Sequence, residues 1–339
     1  MKTIEITEPR VIKWADRQEP ECGREEVLLK VNYIGLCGSD LSTYLGENPL
    51  VEYPRIPGHE ISATIEEVGS HVPDNFRVGD HVTVVPYTHC YQCASCKQKR
   101  FNACKYNQTL GVQRDGAMSE YFVVQWQKVL KDNGLNDYQL ALVEPLTVGF
   151  HAIDNANVLD TDTVMVLGCG MIGTGAILRA AWRGATVIAV DIDDCKLEIA
   201  KQLGAHYTIN SRNDELHLIL DQLTTGFGPT VVVEAAGSPI TYRTAIAEVG
   251  FSGKVVCIGY TNQEVAFPTK LWVQKELTIM GSRNANPMDF EAVIRYLRTS
   301  NLGEKELVTR IIRPEVVGEA MKEWAEKPGG ILKILIQFN

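Results

Sequence analysis

The sequence predicts a two-domain α/β fold, in which a doubly wound, six-stranded parallel sheet follows a region of short strands and turns. Three features predict it. The chain has 339 residues, more than the roughly 250–300 at which single cores stop growing. Up to about residue 145 the pattern is strand-like and punctuated by Pro and Gly. Beyond about residue 160, apolar runs alternate with helical patterns. Runs that are apolar throughout imply burial on both faces, as in a parallel sheet covered by helices.

In the first region "VLLKVNYI" (27–34) and "HVTVVPY" (81–87) read as strands, with Pro54, Pro57, Gly58, Gly69 and Gly79 marking turns. In the second the strand candidates are 164–168, 186–191, 206–210, 230–237, 254–259 and 277–281. Helical segments such as "DCKLEIAKQLGA" and "PITYRTAIAEVG" separate them. Six such strands suffice for two βαβαβ halves. The tail holds a helix, "DFEAVIRYLRT", and a final strand, "ILKILIQF", which is expected to return to the first domain. The boundaries read as 1–147 with 290–339, and 148–289.

The first strand of the second region runs into "VLGCGMIGTGA". Gly168, Gly170 and Gly173 make GxGxxG between a predicted strand and a predicted helix, where the glycines permit a tight turn, close approach of a pyrophosphate and close helix–strand packing. The helix N-terminus offers free N–H groups to phosphate. Asp191 ends the next strand, 18 residues beyond Gly173. Its carboxylate suits ribose hydroxyls and repels a 2′-phosphate, which selects NAD over NADP. The predicted cofactor contacts are Gly168, Gly170, Met171, Ile172, Gly173, Asp191 and Ile192.

Four of the nine cysteines, Cys90, Cys93, Cys96 and Cys104, fall in "HCYQCASCKQKRFNAC". A disulfide staple and a metal site are both compatible with that clustering. "MKTIEITEPR" has no signal-peptide core, and no run reaches the ~18–20 apolar residues of a membrane span. The chain is therefore expected to be cytoplasmic, where metal binding is favoured over a disulfide. The net charge of -9 and pI near 5.4 argue against a nucleic-acid or anionic-membrane binder. Further ligand candidates are Cys37, Ser39 and Asp40 in "LCGSD", His59 and Glu60 in "PGHE", and Glu144 in "LVEPLTVGFHA". Three protein ligands with one open position is the catalytic zinc pattern.

Over essentially its whole length the chain resembles the zinc-containing medium-chain dehydrogenase/reductase superfamily. "CGSD", "GHEISATIEEVGSHV", the CxxCxxCx₇C lobe and "EPLTVGFHA" fall in that family's order, with Ala63 at a position the family gives to Gly. Glu144 replaces a Cys ligand, as in the polyol and threonine dehydrogenase branch. "YPRIPGHE", "GVQRDGAMSEY" and "GSRNANPMDF" resemble bacterial sugar-acid dehydrogenases of the L-galactonate (L-gulonate) 5-dehydrogenase type. The resemblance implies a GroES-like zinc domain joined to a Rossmann domain, and two zinc ions per chain. Cys37, His59 and Glu144 would hold the catalytic zinc, with Glu60 able to approach or join it. The four clustered cysteines would close a structural site, whose charge Lys97, Lys99 and Arg100 offset. Asp40 would hold His59 by its distal N–H, and Ser39 would meet the substrate hydroxyl and begin a proton relay.

Ser42 stands where the family often has the outer relay His, so Ser42 is the relay candidate. His151 reads as a core histidine rather than its substitute. Arg283 is expected either to grip a sugar-acid carboxylate or to touch cofactor. The expected reaction is hydride transfer between NAD and a secondary alcohol of a sugar acid. The alternatives are a polyol of sorbitol or galactitol type, or L-threonine at its 3-hydroxyl. A non-enzymatic alternative is a zinc-ribbon module fused to a nucleotide sensor. The family forms homodimers or homotetramers, and either is expected.

Overall fold

In the computed structural model, which describes residues 1–338 except Asn301 and Gly303, the chain divides into two units. One comprises Met1–Glu144 with Asn286–Asn339, the other Pro145–Ala285.

The first unit is built on a seven-stranded sheet centred on Glu26–Leu36. Glu60–Val68 and the C-terminal strand Ile334–Gln337 flank that strand, both antiparallel to it. His81–Val84 and Val129–Lys131 extend the sheet beyond Glu60–Val68, and Arg310–Ile312 extends it beyond the C-terminal strand. Tyr121–Gln125 also pairs with Glu26–Leu36. The alternating burial of Glu26–Leu36 turns Val27, Leu29 and Val31 into the core. Its register then shifts between Val31 and Tyr33, as at a β-bulge. The tail thus returns to the first unit. The candidate strand 81–87 stops at Val84, because Pro86 has no N–H for a ladder.

The second unit is a six-stranded parallel sheet in the order Tyr207–Asn210, Thr186–Asp191, Thr163–Leu167, Val231–Glu234, Lys254–Cys257, Thr278–Gly281. Alternate residues feed two cores. Val164, Val166, Val187, Ala189, Val231 and Val233 pack on one face. Met165, Leu167, Ile188, Val190 and Val232 pack on the other. Both faces are apolar, so the strands carry no period-two signal. The apolar run 230–237 yields only Val231–Glu234. There the Glu234 carboxylate turns back to accept from the N–H groups of Ala236 and Gly237 and from the Thr241 hydroxyl. Among the described residues no helix is long and apolar enough to cross a membrane.

Candidate active site

The first unit assembles its candidate site where two strand ends and a helix supply side chains. Cys37 follows the central strand and N-caps the helix Gly38–Leu45. His59 immediately precedes the neighbouring strand and Glu60 opens it, opposite Gly35. Gly35 is obligatory there: a Cβ would lie 1.9 Å from Glu60 Oε2. Glu144 comes from the helix Asp137–Asn155, which carries Pro145 within it.

The ligand atoms of Cys37, His59 and Glu60 lie within 4.8 Å of one another, with His59 and Glu60 buried. Glu144 is buried beside them, and its charge acts on both His59 and Glu60. The donor set suits a cation. Burial alone would lower the His59 pKa, yet the Cys37 sulfur, Asp40 and Glu144 outweigh it and raise it well above the usual histidine value. Burial pushes the Glu144 carboxyl up, with Glu60 adding to the shift and His59 opposing it. Such a surplus of buried negative groups is what a divalent ion relieves. Among the described residues, the buried atoms His59 Nδ1, Asp40 Oδ1 and Ser39 Oγ have no hydrogen-bond partner.

Asp40 departs from its expected role. Its Oδ2 accepts from the Cys37 backbone N–H at 2.9 Å, completing a capping box. Its Oδ1 stands 4.0 Å from His59 Nδ1, too far for a hydrogen bond. Asp40 therefore anchors the turn that presents Cys37 and faces the His59 ring without bonding it. Ser42 is half-buried on the same helix.

The cysteine lobe holds a second metal-type set. The sulfurs of Cys90, Cys93, Cys96 and Cys104 lie within 4.8 Å of one another. Separations of 4.0 Å for Cys90–Cys96 and 3.8 Å for Cys93–Cys104 are far beyond a disulfide bond. Backbone N–H groups of Gln92 and Cys93 point at Cys90 Sγ, and that of Tyr106 at Cys104 Sγ. This is the arrangement of four thiolates closing one tetrahedral site. Lys97, Lys99 and Arg100 are exposed around it.

In the second unit Gly168 has φ of +93°, and Gly170 caps the helix Met171–Trp182. A Cβ on Gly173 would lie 1.8 Å from Gly168 O, whereas one on Gly170 would meet nothing within 4 Å. The turn is closed at Gly173 and open at Gly170, leaving free helix N–H groups facing space. Asp191 braces it: Oδ2 accepts from Cys169 N at 2.7 Å, and Oδ1 from Ile192 N at 2.7 Å and Asp193 N at 3.0 Å. Met171 is buried, Ile172 half-buried and Ile192 exposed. Arg283 is exposed just beyond the strand Thr278–Gly281. His151 is buried on the helix Asp137–Asn155.

Two family models match the chain. An alcohol dehydrogenase GroES-like domain covers residues 23–134, and a zinc-binding dehydrogenase domain covers 172–299. The chain belongs to the zinc-dependent alcohol and polyol dehydrogenases of the medium-chain superfamily. These are oxidoreductases of CH–OH donors that work with zinc and NAD, and the two units have the GroES-like and Rossmann folds of that family. This dehydrogenase is 32% identical to L-galactonate-5-dehydrogenase of Escherichia coli strain K12, over 91% of each chain. It is 33% identical to a sorbitol dehydrogenase of Halalkalibacterium halodurans, over 95% of this chain and 94% of the relative. The NADH complex of an alcohol dehydrogenase (rspB) from E. coli CFT073 superposes with a TM-score of 0.92 at 30% identity, covering 100% of this chain and 99% of that one.

Two residues of the dehydrogenase's site escaped the sequence reading. Lys333 is buried, with Nζ 2.6 Å from both Glu60 oxygens and 3.0 Å from Leu36 O. Tyr87 is buried and donates its hydroxyl proton to Glu144 Oε1. Lys333 had a signal, a lone charge inside the apolar run "ILKILIQF". Tyr87 had none, since an aromatic after a strand is ordinary core material.

Proposed function

We propose that this dehydrogenase transfers a hydride between NAD and a secondary alcohol of a sugar acid. The convergence of Cys37, His59 and Glu60, with buried Glu144 interacting electrostatically with His59 and Glu60, carries the catalytic part of this reading. Cys37, His59 and Glu144 would hold the catalytic zinc, with Glu60 in reach of it. When bound, the metal supplies Lewis-acid polarisation of the substrate oxygen, and NAD supplies the hydride acceptor.

The chain's own residues do the rest. Ser39 Oγ, buried without a partner, takes the hydroxyl proton of the substrate. Ser42, three residues on along the same helix, passes it outward. Asp40 fixes the turn that carries Cys37. Asp191 holds the glycine turn and offers its carboxylate to the adenosine ribose, which favours NAD over a 2′-phosphorylated cofactor. The cysteine lobe would hold a structural zinc through Cys90, Cys93, Cys96 and Cys104, away from the chemistry.

Arg283 would grip the carboxylate of the substrate. The likeness to L-galactonate-5-dehydrogenase supports the sugar acid. The sorbitol dehydrogenase likeness supports a neutral polyol as the second reading. NAD-linked turnover on aldonates, hexitols and L-threonine separates them. The sugar-acid reading expects aldonates to give the highest kcat/KM, and Arg283→Ala to raise KM for an aldonate far more than for a hexitol. Equal effects on both substrates would remove Arg283 from carboxylate binding.

A further inference from the structure

Beside the cysteine lobe, the first unit contains a cavity of about 420 Å³ with two cations in its wall. Arg114, from the loop that follows Gly111, and Lys128, from the short helical turn Trp126–Lys128, both line it, as does His89. The two cations converge on two consecutive backbone carbonyls. Lys128 Nζ donates to Tyr87 O at 2.7 Å, and Arg114 Nη2 reaches Pro86 O at 3.5 Å.

Neither cation has an acidic partner among the described residues. Burial lowers the pKa of Arg114, and burial together with the charge of Arg114 lowers that of Lys128 to about 8. Arg114 Nε is buried without a hydrogen bond. The nearby carboxylates are engaged elsewhere. Asp115 pairs with Arg55 and Arg17, and Glu26, in the cavity wall, accepts from Gly23 N at 3.2 Å. Two half-buried cations that repel each other and lack a counter-ion are costly unless something else brings the negative charge.

We propose that this cavity is an anion site for a phosphate monoester, with Arg114 and Lys128 as its paired donors. Two unpaired positive charges match a phosphate monoester, whose charge near pH 7 is about -1.5 to -2, better than a carboxylate of charge -1. Arg114 supplies the planar fork and Lys128 the point charge, a division that suits three phosphate oxygens. The cavity exceeds the needs of a bare phosphate group, and the Tyr91 and Leu110 side chains in its wall suit the organic remainder of the ligand.

The test is thermal unfolding of the zinc-loaded full chain in sodium phosphate against sodium chloride of equal ionic strength. Phosphate is expected to raise Tm saturably. Lys128→Met and Arg114→Gln are expected to weaken the apparent phosphate affinity at least ten-fold, while NAD-linked turnover persists. Lys128→Arg keeps the charge and retains the phosphate response, which controls for folding. Equilibrium dialysis of radiolabelled phosphate against the same variants reads binding directly. A phosphate response that is absent from the wild type, or that survives in both Lys128→Met and Arg114→Gln, overturns the site.

Discussion

Lys333 Nζ lies 2.6 Å from each carboxylate oxygen of Glu60, and both side chains are almost wholly withdrawn from solvent. The pair joins the residue before the last strand to the first residue of the strand that follows His59, 273 residues away in sequence. Removing one partner strands a buried charge, at a cost of about 3–5 kcal/mol. Lys333→Met should therefore lower the urea midpoint sharply, and adding Glu60→Gln to it should recover part of the loss. A wild-type midpoint for Lys333→Met would show that the pair contributes nothing to stability.

Tyr87 holds Glu144 through a hydroxyl in a fully buried setting. Partners of metal ligands typically govern affinity or activity by about 10–100-fold. Tyr87→Phe removes only the hydroxyl, so zinc affinity or kcat should fall by that order while the fold persists. Zinc titration with a chromophoric chelator measures the first, and steady-state kinetics the second. Unchanged values in both would leave Tyr87 as packing.

Two separate metal sets predict two zinc ions per chain by atomic emission. Cys96→Ser should lose one zinc and several degrees of Tm, since closed cysteine sites contribute folding energy outright. Glu144→Ala should lose the other zinc and the activity, yet stay folded and bind NAD. If Cys96→Ser keeps both ions and its melting temperature, the lobe is not a metal staple.

Asp191 braces the turn at Cys169, and we propose that its carboxylate also meets the adenosine ribose. Asp191→Ser should raise KM for NAD and narrow the preference over NADP. An unchanged NAD-to-NADP ratio would contradict the ribose assignment.

Lys128 titrates at about 8, below the ordinary lysine value of 10.5. Because the folded pKa is lowered, the charged form destabilises the fold. That cost is present in full below pH 8 and is relieved as pH rises from 8 towards 10.5. The shift corresponds to at most about 3–4 kcal/mol, reduced to roughly 1–2 by partial exposure. In phosphate-free buffer Lys128→Met should accordingly be more stable than wild type at pH 7, with the gain fading near pH 10. A destabilised Lys128→Met at pH 7 would contradict the uncompensated charge.

The Rossmann half was almost fully legible in the sequence, because buried parallel strands are short continuous apolar runs and the glycine turn has fixed spacing. The strand Thr186–Asp191 coincides with its apolar run. The misjudged ends have local causes: Pro86 stops one strand, and the Glu234 carboxylate terminates another. In the site, Cys37, His59 and Glu144 were candidates only as a set, since each alone is an ordinary residue type. The sequence could not anticipate that Asp40 bonds the Cys37 N–H instead of His59, a difference of about one ångström in side-chain placement.

By itself, then, the sequence determined the fold class, the cysteine lobe, the glycine turn and the candidate ligands, because periodicity and spacing are local along the chain. Only the tertiary structure decided which charges face one another. Lys333 meets Glu60, Tyr87 meets Glu144, and Arg114 and Lys128 share a cavity in which, among the described residues, neither pairs with an acid. Those relationships arise from strand register and loop packing between distant segments, and electrostatic energy depends on distance through space rather than on separation along the chain.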